Sequence, residues 1–171
     1  MSTVVVYESM FGNTRQIAEA VARGIGDAST VDVREVGDIA ALPADVDLLV
    51  VGGPTHAFSM SKPGTRADAA TKPHDGDIVS TGIGLREWID ALPNPDHRIR
   101  VATFDTGVRH PRLPGSAAKA AAKALKTHGY QMVAEPETFD VHGMTGPLLP
   151  GEIDRAVAWG ERIASAAHAT S

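Results

Sequence analysis

Apolar residues gather in short runs at wide intervals along the chain, and stretches with helical spacing lie between the runs. Val4-Val5-Val6-Tyr7 and Leu48-Leu49-Val50-Val51 are continuous, and Ile99 to Phe104 is nearly so around Arg100. Runs of this kind predict central strands of a parallel sheet, buried on both faces. Val31 to Val36 alternates as a more exposed strand does, and a last strand falls within Tyr130 to Val141, broken near Pro136 because proline cannot donate to a ladder. Between them, Ile17, Ala18, Val21, Ala22 and Ile25 share one helical face, with Gly26 as a stop. Ser116 opens a second helix that Gly129 closes, and a weaker one covers Leu85 to Leu92. Ile153, Val157, Gly160 and Ala164 mark the inward stripe of a C-terminal helix. Strands alternating with helices predict βαβ units, hence an α/β fold with helices on both faces of the sheet.

One segment breaks this rhythm. Ser59 to Gly82 is polar, carries Pro63 and Pro73, and predicts a long insertion with at most one short helical turn at Ala67 to Thr71. Loops this long are uncommon without a function, so it reads either as a surface excursion or as a lid.

The 171 residues fit one domain. A net charge of −5 argues against general binding to nucleic acid, which needs a basic excess. The chain has no cysteine, which excludes disulfides, thiolate catalysis and iron–sulfur ligation. Its seven histidines lack metal-ligand spacing, so no metal site is expected. MSTVVVYE has no basic leader and no stretch reaches a membrane-spanning length, so the expected location is the cytoplasm. The pattern leaves the oligomeric state open.

In an open α/β sheet, ligands bind beyond the carboxyl ends of the strands. After the first strand come Ser9, Met10, Phe11, Gly12, Asn13 and Thr14, leading straight into a helix. Hydroxyl and amide side chains around a glycine, at a helix start, favour an anion. A cap formed by Asn13 or Thr14 alone is the plainer alternative. There is no Gly-Lys pair for a triphosphate loop and no G-x-G-x-x-G fingerprint, so the loop suits a terminal monoester phosphate. A receiver domain would need an aspartate where the third strand ends in Val51-Gly52-Gly53, and a serine hydrolase would need G-x-S-x-G.

Ser-Met-Phe-Gly-Asn-Thr (9 to 14) resembles the phosphate loop of flavodoxins, and Gly52-Gly53-Pro54-Thr55-His56 resembles the entry to their flavin loop. The order of elements is similar to theirs across the chain, and the first two loops also resemble those of flavodoxin-like quinone reductases. The resemblance implies a three-layer sandwich around a five-stranded parallel sheet of order 2-1-3-4-5, with FMN as cofactor. It implies that Ser9, Asn13, Thr14 and the amides from Met10 to Arg15 hold the phosphate. Pro54, Thr55, His56, Ala57 and Phe58 would run beside the isoalloxazine, and Asp105, Thr106 and Gly107 would approach its pyrimidine edge. The implied activity is electron carriage or reduction of quinone-like acceptors, served by a redox partner protein or NAD(P)H.

Three departures bear on this. Phe11 replaces a hydroxyl, and the ring loops hold no Trp or Tyr, leaving Phe58, His56 and His110 to stack. The third loop is basic, with Arg109, His110 and Arg112, which favours a potential above that of the acidic flavodoxins. The alternative reading is a flavodoxin-like scaffold with weak or lost flavin binding, acting as a binding or regulatory module. Lys119, Lys123 and Lys126 form a basic helix face, a solvated surface or a dock for an acidic partner or anionic substrate. Trp88 and Trp159 read as packing residues.

Overall fold

The computed structural model describes residues 1–27, 29–109 and 114–169. Elements follow in the order β1 (Thr3–Tyr7), α1 (Asn13–Ile25), β2 (Val31–Glu35), β3 (Leu48–Pro54), α2 (Pro63–Ala70), α3 (Leu85–Asp90), β4 (Arg100–Val108), α4 (Ala117–Thr127), β5 (Gln131–Met132), β6 (Glu137–Val141) and α5 (Glu152–Ala169). The sheet is parallel throughout, in the order β2-β1-β3-β4-β5, with β6 also paired to β4.

The expected fifth strand is therefore two strands sharing one edge. β5 pairs with Arg100 and Val101, and β6 with Phe104 to Val108. The break spans residues 133 to 136 and ends at Pro136, where the backbone N–H needed to continue the ladder is missing.

Alternation along the strands builds two cores. Val4, Val6, Leu49, Val51 and Val101 face α3 and α4 with Trp88, Ile89 and Leu125. Val5, Tyr7, Val50 and Phe104 face α1 and α5 with Ile17, Val21, Trp159 and Ile163. Each fully buried Val or Leu contributes about 1.5–3 kcal/mol, so these two layers rather than any cap carry the fold. Both tryptophans are packing residues: Trp88 Nε1–H donates to Ile39 O at 2.7 Å, and Trp159 meets Phe104 and Phe139 edge to face at about 6 Å. In α5, Gly160 and Ala164 are buried as expected, but Ile153 and Val157 are only half-buried. Ala156, Trp159, Ile163 and Ala167 take the deepest positions, because the large indole sets the rotation of the helix.

The polar segment from Ser59 to Gly82 holds a full helix, α2, not a single turn at Ala67 to Thr71. Pro63 is its first residue, where a missing N–H costs nothing and the fixed φ helps. The segment is tied to the sheet at both ends. Near its start, Ser61 Oγ–H donates to the Glu8 carboxylate at 2.6 Å, while Arg66 donates to Ser61 Oγ at 2.8 Å and pairs with Glu87. Near its end, the N–H groups of Val79 and Ser80 donate to Met10 O and Ser9 O at 3.1 and 2.8 Å.

Among the described residues, no helix is long and apolar enough to cross a membrane.

Candidate functional site

Between β1 and α1 the chain turns within five residues. Gly12 N–H donates to Ser9 Oγ at 3.0 Å, closing the turn, and Gly12 itself has φ 93°, a left-handed conformation open to glycine at little cost. The helix begins at Asn13, and its first internal bond runs from Gln16 N–H to Gly12 O at 3.1 Å. The amides of Asn13, Thr14 and Arg15 precede that bond, and among the described residues no side chain caps them.

The cap alternative is thereby answered. Asn13 Nδ2–H donates to Thr145 O at 3.1 Å, and the Thr14 and Thr106 hydroxyls share a hydrogen bond at 2.8 Å. One braces the loop after β6 and the other the end of β4. The α4 end is built the opposite way. Its first three amides donate to Thr55 Oγ1 at 3.0 Å, to Asp105 Oδ2 at 2.9 Å and to Ser116 Oγ at 3.2 Å. The chain fills one helix N-terminus with its own carboxylate and leaves the other uncapped.

The uncapped end opens into a narrow cleft of about 70 Å³, walled by Ser9, Thr14, Pro54, His56 and Thr106. The cleft shares Thr55, Gly107, Val108 and Met144 with a wider hollow of about 480 Å³ that reaches Phe58 and Lys119. At its mouth Ala57 and Phe58 have φ 48° and 69°. His56 and Ser59 bond across them at 2.8 and 3.1 Å, so they form a tight turn with both central residues left-handed. Such conformations cost about 1–3 kcal/mol each for non-glycine residues and gather at ligand sites. The turn holds Phe58 54% exposed over the hollow, with Met144 60% exposed among the lining residues.

Burial and the charge of Arg66 push the His56 pKa down, so its ring is neutral, with Nδ1 at 3.1 Å from Thr65 Oγ1. β4 runs on past Phe104 to Val108, making Asp105, Thr106 and Gly107 strand residues with alternating faces. Thr106 accordingly points to Thr14, while Asp105 lies under α4. Burial pushes the Asp105 carboxyl up despite the Ala118 amide and the Ser116, Thr138 and Thr55 hydroxyls around it. Among the described residues its Oδ1 has no hydrogen-bond partner.

Phe11 is half-buried beside His74, with ring centroids 5.2 Å apart. Arg109 is ion-paired to Asp140 at 3.1 Å, while His110 and Arg112 lie outside the described residues. Sequence reasoning missed the loop after β6, which brings Gly143 and Met144 to the cleft and Thr145 to Asn13. A Cβ on Gly146 would stand 2.5 Å from the Asn13 amide group, so that approach requires glycine. The legible signal was a pair of glycines just beyond a strand's carboxyl end.

Glu8, fully buried behind the loop, accepts from Leu85 N–H at 2.6 Å as well as from Ser61, and burial pushes its pKa up. Between the ordinary carboxylate range and their raised values, Glu8 and Asp105 thus bind more protons in the native state than in the unfolded chain. Stability is therefore expected to fall as pH rises from the ordinary carboxylate range through their raised values. Burial pushes Glu87 up too, but Arg66 outweighs it and holds it low. That residue gives the opposite slope, only below the ordinary range. Urea unfolding between about pH 5 and about pH 8 reads the slope. His56, held low, gives the opposite slope below the ordinary histidine range, so the Glu8 contribution is read as the difference between wild type and Glu8→Gln. The variant should lose part of the fall with pH, and a profile identical to the wild type would contradict the assignment.

The architecture has well-matched counterparts among solved structures. The chain is similar to a flavodoxin from the domain Archaea at 20% identity and TM-score 0.63, covering 98% of this chain and 99% of that one. It is similar to oxidised flavodoxin 1 from Bacillus cereus at 16% and 0.65, covering 96% and 98%. A flavodoxin, WrbA-like protein from Agrobacterium tumefaciens aligns at 19% and 0.63, covering 99% of each chain. The chain has the flavodoxin-like fold. No protein-family model and no curated protein matches it. In a flavodoxin-like sheet the winding reverses between β1 and β3, where ligands of such sheets bind, and the uncapped end of α1 lies at that point.

Proposed function

We propose that this protein is an FMN-binding redox protein, acting as an electron carrier or as a reductase of quinone-like acceptors. The observation that carries the reading is the uncapped N-terminus of α1 at the switch point, set against the filled end of α4. Donors without acceptors suit a phosphate monoester, and the resemblance of residues 9 to 14 to a flavodoxin phosphate loop implies FMN as its bearer. The residues fit the rest of the molecule. The narrow cleft is too small for an isoalloxazine, but it continues into the 480 Å³ hollow between the Ala57–Phe58 turn and Gly107–Val108. Asp105, whose buried Oδ1 has no partner among the described residues, is among the residues lining that hollow, where a pyrimidine edge would offer both donors and acceptors.

When bound, the flavin supplies the redox chemistry. The amides of Asn13, Thr14 and Arg15 bind the phosphate, Phe58 and Met144 shield the ring from water, and neutral His56 borders the cleft. Lys119 is the one cation lining the hollow among the described residues, and it favours an anionic reduced ring. Lys119, Lys123 and Lys126 are all exposed on α4 and suit an acidic redox partner or the phosphates of NAD(P)H.

FMN titration with riboflavin as the phosphate-free control tests the reading. FMN binding at least about a hundredfold tighter is expected, since several charge-assisted hydrogen bonds at roughly 1.5–3 kcal/mol each distinguish the two. Equal affinities would refute the phosphate site. Oxidation of NADH or NADPH by the FMN-loaded protein with a quinone acceptor separates the two roles: turnover makes it a reductase, and none leaves the carrier.

A further inference from the structure

The anion loop does not hold its own shape. Ser80, at the end of the polar excursion and 4% exposed, grips Ser9 at two points. Ser80 Oγ accepts the Ser9 N–H at 2.9 Å, and the Ser80 N–H donates to Ser9 O at 2.8 Å. The hydroxyl has one proton, and it goes to Glu35 Oε1 at 2.7 Å. Glu35 is fixed in turn because its Oε2 accepts the Gly37 N–H at 2.6 Å. With its proton directed to Glu35, the Ser80 oxygen must face Ser9 as an acceptor. Val79 N–H holds the next carbonyl, Met10 O, at 3.1 Å.

Three consecutive carbonyl or amide groups of the loop are thus set from outside it. Ser9 is wholly buried, so its N–H has no water to turn to. This grip turns the Ser9 hydroxyl inward, where it accepts Gly12 N–H and sets the start of α1.

We infer that Ser80 is a positioning residue for the anion loop, and that the excursion from Ser59 to Gly82 acts there as a strut and not as a lid. The inference rests on the FMN reading for its ligand, but its structural half does not. A strut orients the phosphate donors and leaves the ring seat alone. A lid would contact the ring and serve FMN and riboflavin alike.

The test is Ser80→Ala, with Glu35→Gln as a milder change that keeps the Ser80 hydroxyl. FMN dissociation constants should rise about ten- to hundredfold in Ser80→Ala and less in Glu35→Gln. Riboflavin affinity should move by less than about twofold. In flavin-free protein, hydrogen exchange should quicken at the Ser9 to Gly12 amides while Val50 and Val51 in β3 keep their protection. Equal losses of FMN and riboflavin would overturn the inference in favour of a lid. Quickened exchange throughout the sheet would make Ser80 a general folding residue and overturn it too. If the wild type binds FMN no better than riboflavin, the FMN reading falls; unchanged exchange at Ser9 to Gly12 in Ser80→Ala overturns the strut independently.

Discussion

Under the FMN reading, Gly12→Asp should abolish a preference for FMN over riboflavin while leaving the protein folded. The position has φ 93°, and a Cβ there meets nothing within 4 Å, so a side chain has room. Aspartate tolerates the left-handed region better than most residues, at a cost of about 1 kcal/mol. As an N-cap it returns only a few tenths of a kcal/mol relative to glycine, and its charge at the helix N-terminus adds about 0.3–1 kcal/mol. Stability should therefore change by less than about 1 kcal/mol. Under the same reading, that carboxylate sits where the phosphate would bind. At about 5 Å and an effective dielectric of about 20, like charges repel by roughly 3 kcal/mol, or more than a hundredfold in affinity. Gly12→Asn supplies the same cap and the same strain without the charge, and should lose far less. Flavin fluorescence titrations of both variants, with riboflavin as control, decide the matter. A Gly12→Asp protein that binds FMN like the wild type would place the phosphate elsewhere.

The largest stability effect is expected at Gly24 and Gly160, where α1 crosses α5. Helix propensity alone predicts that alanine stabilises either position by about 1 kcal/mol. The packing predicts the reverse. A Cβ on Gly24 would lie 2.0 Å from Val157 O, and one on Gly160 would lie 2.3 Å from Val21 O. Both obstacles are backbone carbonyls, which cannot rotate away as a side-chain tip would. α1 is also pressed against the sheet through Ile17 and Val21, so separation of the helices opens the core beneath them. Overpacking typically costs about 1–3 kcal/mol, and a clash with backbone belongs at the upper end or beyond. Each alanine should lower the unfolding free energy by about 2 kcal/mol or more after the propensity gain. The double variant should lose less than the sum, because the first substitution already spreads the helices. A rise in urea midpoint for either single variant would show a looser crossing.

Much of this was legible in the chain because its signals are local. Val4 to Tyr7 and Leu48 to Val51 could only be buried strands, Gly26 and Ser116 punctuate helices as their chemistry demands, and the break near Pro136 follows from one missing N–H. Pro63 misled because proline starts helices as well as breaking them, and only the following turn decides which. Ile153 and Val157 satisfy the helical period as well as Ala156 and Trp159 do, so periodicity could not choose the buried face of α5. In the site, the run from Ser9 to Thr14 stood out as hydroxyl and amide side chains around a glycine at a helix start. Pro54 to Phe58, in contrast, were singled out only by their resemblance to a flavin loop, with no hint of the left-handed turn at Ala57 and Phe58. What stayed hidden depends on tertiary partners. Nothing around Ser80 signals that it grips a loop 71 residues away, and Asp105 reads as a loop acid until β4 is seen to extend through it and alternate its faces.

The bare end of α1 has a consequence for how much of this protein a cell keeps. With glycine at the cap position, the helix gives up a few tenths of a kcal/mol that a capping side chain would supply. Under the FMN reading, the phosphate takes the place of that cap, and the stabilisation is the binding linkage, about 2.7 kcal/mol when free cofactor stands at a hundred times its dissociation constant. Folded protein and cofactor supply are then coupled. Cells starved of riboflavin would hold this chain closer to its unfolding threshold, where proteases act, and its abundance would report their flavin status.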